Sequence, residues 1–251
     1  MPEPIGQLFM EQTRYRYLGA SDQQKGLPQP PLELAAPEGA TWIPLPDPAR
    51  VVVPPLDLRQ AIAGRQSVRR YAPLPLSPDD LSYLLWCTQG VLEVGENRSY
   101  TRRTVPSAGA QHALETYLLI NRVEGMTPGL YRFMALEHSL VVVDLAPDIA
   151  ARMTAACLGQ DMVQTCGVTL IWVAVPERMV WCYGQRGYRY LHLDAGHVCQ
   201  NLYLAAESVK CGVCAIAAFS DQDLCAVLGI DGVKLFPIYL ATVGKKLQVV
   251  R

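Results

Sequence analysis

The hydrophobic pattern predicts a mixture of helices and strands that do not alternate regularly. Leu56 to Ala63 reads as helical and stops at Gly64. Ser77-Pro78-Asp79-Asp80 is a helix start: serine can cap, proline fits the first turn, and the aspartates complement the positive helix end. Leu81, Leu84 and Leu85 then supply an apolar face, and Gly90 a stop. Residues 116–123, 130–134 and 140–143 read as three strands of a local antiparallel meander. Pro147 opens a helix to Cys157 or Leu158, and Gln160 to Thr165 adds one turn. Val168 to Val175 has the length and apolar density of a buried strand.

From Tyr188, Leu191, Ala195, Val198, Leu202, Ala205 and Ala206 recur at helical spacing for about twenty residues. Apolar groups on the opposite side as well predict a helix buried nearly all round, central or at a subunit interface. Gly212 breaks it. Val213–Phe219 reads as a strand, 221–228 as a helix and 236–243 as a last strand. This order favours an α+β fold over a doubly wound sheet.

Residues 1–55 are set apart, holding more than half of the chain's 19 prolines. Proline fixes φ and removes a donor, so an extended arm is expected, followed by a domain over 56–251. Leu32, Leu34, Trp42, Ile43 and Leu45 would anchor such an arm on a surface, its own or a partner's.

A hydrophobic half and a net charge of -1 imply a sizeable core and argue against nucleic acid as a partner. No apolar run approaches the ~20 residues that span a bilayer, and the first residues lack a secretory pattern. A cytoplasmic protein, not a membrane protein, is expected. The eight cysteines read as buried thiols, and the lone Cys211-Gly212-Val213-Cys214 lacks partners for zinc, so no metal site is expected. His112, His138, His192 and His197 form no motif, and GxGxxG, Walker and GxSxG patterns are absent.

Arg65-Gln66-Ser67-Val68-Arg69-Arg70-Tyr71 concentrates charge in a nearly neutral chain. Guanidiniums match phosphate oxygens two at a time, and in extended backbone Arg65, Ser67 and Arg69 would share a face. The same residues would also make an ordinary solvated basic turn. Pro106-Ser107-Ala108-Gly109-Ala110 lets backbone approach a flat ligand, and Ala215–Phe219 offers a second small-residue surface. Together with a phosphate cradle they suggest a planar cofactor carrying one phosphate, a description that fits FMN.

These segments occur in one order with Arg186-Gly187-Tyr188-Arg189-Tyr190, Asp194-Ala195-Gly196-His197, Gln200-Asn201-Leu202, Gly229 and Val243-Gly244-Lys245. Over about residues 56–246 the sequence resembles the nitroreductase superfamily, and within it the SagB-type dehydrogenases. The resemblance implies a mostly antiparallel central sheet surrounded by helices, and a homodimer with FMN in two interface clefts. Arg65, Ser67 and Arg69 would hold the phosphate, with Lys245 or Lys246 closing the cradle. Pro106, Ser107, Ala108 and Gly109 would line the flavin ring, partly from the second subunit. Ala217 and Ala218 would bring amides to its reactive edge, and Gln160 would lie against it.

Azoline dehydrogenases of that group carry a Lys-Tyr pair; here Cys182 precedes Tyr183, leaving Tyr183 as the candidate proton donor. The expected activity is hydride transfer through flavin between a donor, with NAD(P)H a fitting one, and an organic acceptor. Two alternatives are a peptide-tailoring azoline dehydrogenase acting on thiazolines or oxazolines, and a flavin-binding partner protein without turnover.

Overall fold

The structure, a computed structural model, describes residues 4–247. Helix α1 (Ile5–Gln12) precedes an irregular surface path to a short strand, β1 (Trp42–Pro44). The expectation of an extended arm fails at α1 because Ile5–Gln12 contains no proline; Pro4 stands only at its N-cap, where a fixed φ is tolerated. Asp57 caps α2 (Leu58–Gly64) by accepting from the Gln60 amide. Ser77 and Asp80 close a reciprocal capping box on α3 (Pro78–Gln89).

A two-stranded ribbon follows, β2 (Val91–Val94) and β3 (Thr101–Arg103), in a stretch for which the pattern predicted no element. The meander is β4 (Leu114–Ile120), β5 (Gly129–Met134) and β6 (Ser139–Asp144). Helices α4 (Ile149–Ala156) and α5 (Met162–Thr165) lead to β7 (Val168–Ala174). Next come α6 (Pro176–Tyr183), the long α7 (Gly187–Ser208) and β8 (Cys211–Ile216). Helix α8 (Asp221–Leu228) and β9 (Phe236–Lys245) end the fold. Among the described residues no helix is long and apolar enough to cross a membrane.

Seven strands form one antiparallel sheet in the order β1-β6-β5-β4-β7-β9-β8. Both faces are covered, which is why β7 reads as a continuous apolar run. Leu170, Trp172 and Ala174 point to the layer that holds Leu81, Leu84 and Leu85 of α3 and Leu191, Val198 and Leu202 of α7. Ile171 and Val173 point to Met153 of α4 and Leu224 and Leu228 of α8. At about 1.5–3 kcal/mol for each fully buried large aliphatic side chain, this two-sided core dominates the fold's stability.

The arm lies across its own chain. Strand β1 pairs with the edge strand β6, Trp42 opposite Val141. Arg132 of β5 donates to the carbonyls of Leu34 and Ala35. The deepest anchor is Arg178 of α6: its Nε donates to Pro31 O at 2.7 Å and its Nη2 to Glu115 Oε1 at 2.5 Å. Both side chains of that ion pair are only 3% exposed, and Glu115 also accepts from the Leu34 amide at 3.0 Å.

Candidate functional site

The arginine stretch lies along the open edge of β8. Ser67 bridges Val213 in parallel, with Val68 N donating to Val213 O at 2.8 Å, and Tyr71 then bridges Lys246 at the end of β9. Two glycines permit this path. Gly212 and Gly244 face each other across β8 and β9, and a Cβ on them would stand 2.6 Å from Val68 Cβ and 2.7 Å from the Tyr71 ring. The Tyr71 hydroxyl donates to Val68 O at 2.6 Å and meets Thr242 Oγ1 at 2.7 Å. Val68 and Tyr71, three residues apart, thus both pack over glycines, so the simple alternation expected of the stretch does not hold through Arg69.

Arg65 and Ser67 gather on Tyr203 of α7. The Arg65 guanidinium lies over its ring at 5.2 Å, and Ser67 Oγ is 3.1 Å from its hydroxyl. That phenol accepts from Ala215 N at 3.0 Å; with its own proton given to Ser67, the serine proton is free for a ligand. Arg69 is exposed, and its charge bears on Cys214 on the other side of the sheet, opposing the burial that pushes that thiol up. Among the described residues Arg65, Arg69 and Arg70 have no carboxylate partner, a self-repelling arrangement that an anion would relieve. The two lysines at the strand end are committed differently. Lys245 Nζ is 2.7 Å from Asp80 at the start of α3, whereas Lys246 pairs with Glu207, whose carboxylate lies beside Gly64 on the Arg65 side.

The small-residue loop is built by Asp194 of α7. Its carboxylate accepts from Ser107 Oγ at 2.5 Å and from Ala108 N at 3.2 Å, and Ser107 Oγ in turn accepts from His112 N at 2.9 Å. Burial pushes the Asp194 carboxyl up, against the pull of these donors. Gly109 takes φ +57°, and a Cβ there would meet the Tyr183 hydroxyl at 2.6 Å. Tyr183 ends α6, packs edge-on against Tyr190 at 4.8 Å, and is pushed up to about 12 by burial, so it stays protonated at neutral pH. Cys182 donates its thiol proton to Gln23 Oε1 at 3.1 Å, and burial raises it too.

After β8 the exposed Ala217 and Ala218 carry amides with no hydrogen-bond partner among the described residues. Gln160 braces this loop, its Nε2 donating to Ala218 O at 2.8 Å and Cys157 O at 2.9 Å. Cys211 and Cys214, three apart on a strand, send their thiols to opposite faces. His112 is pushed down to about 3, by burial first and by Arg103 and Arg178, and is neutral. Sequence reading missed α6 as an element, although Pro176 at its first turn and Glu177 after it are a helix start. It also missed Tyr203, whose position gives no local signal, and the part played by Tyr15 and Gln23 of the arm.

The two clusters hang on one helix. Asp194 and Tyr203 are nine residues apart, about 14 Å along the axis and half a turn around it. The loop 106–110 and the arginine stretch therefore attach to opposite sides of α7. Between those sides runs an exposed strip of His192, Leu193, Gly196, His197 and Gln200, where the sequence predicted burial nearly all round. The prediction fails in the single chain because helices and sheet cover only the other flank.

Residues 62–245 match the nitroreductase family model. Over 193 residues the chain is 35% identical to MJ1384 of Methanocaldococcus jannaschii, named for nitroreductase, covering 77% of this chain and 93% of that protein. The chain belongs to the nitroreductase family. This places it among oxidoreductases, and solved structures share its α+β fold. A nitroreductase-family structure from Ralstonia eutropha is 25% identical with a TM-score of 0.67, covering 89% of this chain and all of that one. A family structure in complex with FMN, from Desulfovibrio desulfuricans, has a TM-score of 0.55 at 17% identity, covering 78% of this chain and 89% of its own. The trifolitoxin-processing protein TfxB of Rhizobium leguminosarum is 30% identical over 148 residues, 54% of this chain. The nitroreductase-family chain described here spans only 39% of TfxB's length.

Proposed function

We propose that the protein is an FMN-dependent oxidoreductase acting as a homodimer, with each flavin held between two protomers. The observation that carries this is the placement of the two clusters on opposite sides of α7. A second copy laid on the exposed strip between them would bring the arginine stretch of one protomer to the loop 106–110 of the other.

The residues present fit the cofactor. Arg65 and Ser67 offer a fork and a hydroxyl to a phosphate on an edge kept open by Gly212 and Gly244, and the exposed Arg69 would have to turn from the Cys214 side to add the second fork. Lys246 stands nearest as a further cation, on exchanging Glu207; Lys245 is held by Asp80. From Val213, beside Ser67, to Ala217 is about 13 Å of strand, so the free amides of Ala217 and Ala218 serve the far end of a ligand anchored at Ser67. Pro106, Ser107, Ala108 and Gly109 would supply a flat backbone wall, with Asp194 fixing it. Gln160 acts by bracing the Ala218 loop.

When bound, the flavin supplies two-electron transfer between a donor such as NAD(P)H and an organic acceptor. This chain's part is to bind and to hold a proton at Tyr183, whose burial keeps the phenol protonated at neutral pH. A second reading, a peptide-tailoring dehydrogenase of SagB type, draws support from the identity to a trifolitoxin-processing protein. Oxidation of an azoline peptide that disappears in Tyr183→Phe would favour it.

The test is the visible spectrum of purified protein, before and after anaerobic NADPH or NADH. Flavin bands that bleach are expected. The Arg65→Ala/Arg69→Ala double variant should be folded and colourless; full flavin retention there would overturn the cradle.

A further inference from the structure

The nitroreductase match begins at residue 62, so the arm is an addition to the shared fold. It nevertheless reaches the tyrosines around Tyr183. Arg186 Nη1 donates to Thr13 O at 2.9 Å, Arg189 Nε to Thr13 Oγ1 at 2.6 Å, and Arg189 Nη2 to Met10 O. Latched there, the arm brings the Tyr15 hydroxyl to 3.1 Å from that of Tyr190. Tyr190 packs edge-on against Tyr183 at 4.8 Å and accepts from Arg186 Nε at 2.7 Å. The Arg186 guanidinium also lies over the Tyr15 ring at 4.3 Å and over the Tyr190 ring at 5.5 Å. Two phenols from the family fold and one from the arm thus meet around one cation.

Their surroundings push these phenols apart. Burial raises Tyr190, but the hydrogen bonds of Tyr15 and Arg186 and the charges of Arg186 and Arg189 outweigh it, and the phenol stands below its ordinary 10.0. The hydrogen bond to Tyr190 raises Tyr15 in turn. Tyr183 is pushed up to about 12, by burial first and by Cys182 next. The groups facing Tyr190 are therefore Tyr15 of the arm, Tyr183 of α6, Arg186 before α7 and Arg189 on α7 itself. Neighbouring groups held apart in this way divide the acid and base work between them. A negative charge formed on Tyr183 is more stable once moved to Tyr190, beside the guanidinium. Tyr15 and Tyr183 both line a cleft of about 590 Å³, wide enough for water to join their hydroxyls.

We propose that Tyr190, through Tyr15 of the arm and water in the cleft, returns to Tyr183 the proton that Tyr183 gives to the acceptor. This rests on the proposed function above. In each turnover the acceptor gains the hydride that the nicotinamide loses, and one proton from Tyr183. The Tyr183 phenolate takes a proton from cleft water, the water from Tyr15, and Tyr15 from Tyr190. Only Tyr190 ends changed, as a phenolate held by Arg186 Nε–H and the Tyr15 hydroxyl until solvent returns one proton. Neutral water, with a pKa of about 15.7, is a far weaker acid than a phenol, so this route outruns protonation by water alone. Tyr190 and Tyr15 are positioning residues: they act through Tyr183 and do not touch the acceptor.

The experiment uses the holoenzyme and its variants Tyr190→Phe and Tyr15→Phe, which keep each ring and remove one hydroxyl. Enzyme reduced with dithionite is reoxidised anaerobically by dichlorophenolindophenol, which takes a hydride and a proton, or by ferricyanide, which takes electrons alone. In wild type the dye rate should fall as pH rises through the Tyr190 value, below 10.0, and in Tyr190→Phe that fall should move to higher pH. Near neutral pH each variant should slow the dye at least tenfold, with the ferricyanide rate and flavin content unchanged. A dye rate unchanged in either variant, or slowed in step with ferricyanide, overturns the proposal. Protein that binds no flavin would sink the proposed function instead. The relay is then judged by NMR titration of isotope-labelled tyrosine rings. Tyr190 ionising before Tyr183, and at higher pH in Tyr15→Phe, supports it; the reverse order, or no shift in that variant, overturns it.

Discussion

The Glu115–Arg178 pair ties three parts of the chain together, and its loss should be costly in a specific way. Glu115→Gln keeps the volume and the acceptor for Leu34 N, but leaves a guanidinium unpaired at a site 3% exposed. Its remaining partners are carbonyls, Pro31 O at 2.7 Å and His112 O at 3.3 Å. The nearby cation Arg103 is buried and itself held down to about 10 by that burial, so the local field offers little relief. Removing one partner of a buried pair costs about 3–5 kcal/mol, mostly the penalty of the stranded charge. For a chain of this length that is a drop of about 6–20 °C in Tm at 2–4 °C per kcal/mol. The assay is urea unfolding at fixed protein concentration, with Trp181 emission as a second probe because its indole donates to the arm at Leu27 O. The double change Glu115→Leu/Arg178→Met should recover part of the loss, since neither charge is then stranded. A loss under about 1 kcal/mol for Glu115→Gln would refute the reasoning, because a surface pair behaves that way.

Glu33 of the arm should make its docking weaken with rising pH. Burial first, and the Glu115 charge second, push its carboxyl up to about 7, although the Ala135 and Leu136 amides donate to it. A raised folded value means stability is full below the unfolded value near 4.5 and is lost as pH rises through about 7, a change of about 1–3 kcal/mol. Proteolytic cutting of the arm should therefore be faster at pH 8 than at pH 5.5, and Glu33→Gln should flatten that difference; an unchanged slope would count against it. The charges facing Glu33 are those of Glu115 and Glu137, with Arg103 close to the same cluster. Gly212→Ala should force Val68 away and weaken FMN binding at least tenfold by titration, at a cost of about 1–3 kcal/mol of overpacking, while Gly6→Ala, with open space at its Cβ, changes nothing. Asp194→Ala strands the Ser107 hydroxyl and the Ala108 amide, costing about 1.5–3 kcal/mol and loosening the loop 106–110. A flavin spectrum and Tm identical to wild type would contradict that role.

Much of this was legible in the chain where local rules and tertiary packing agree. Ser77, Pro78 and Asp80 announce α3, and the capping box is there. The meander and β7 fall within three residues of their predicted bounds, because each side chain has to choose a face of a sheet covered on both sides. The arginine stretch and the 106–110 loop stood out as candidates for the same reason: unusual residues close together. What failed depended on distant residues. Helix α1 was hidden by the prolines around it. The exposed strip of α7 reads as buried on the strength of Leu193 and Gly196, although His192, His197 and Gln200 on the same strip are polar. Nothing near Tyr203 says that Ser67 will lie on it from 136 residues away. The cleft beside Tyr183 joins segments over 150 residues apart, through contacts with no periodicity to read.

The position of β9 has a further consequence, for how the chain is made. Among the described residues the strand is the last in sequence, but it lies inside the sheet, between β7 and β8. Until residues 236–245 have left the ribosome, β8 has no neighbour in the sheet and β7 has one open side. A nascent chain stopped before Phe236 would hold two apolar strands with bare edges, the arrangement most prone to pairing with another chain. Closure of the sheet thus waits until β9 has emerged, and chaperone engagement should peak on chains lacking these ten residues. Released chains ending at Leu235 and at Leu247 would differ sharply in protease resistance, although only residues 236–247 separate them.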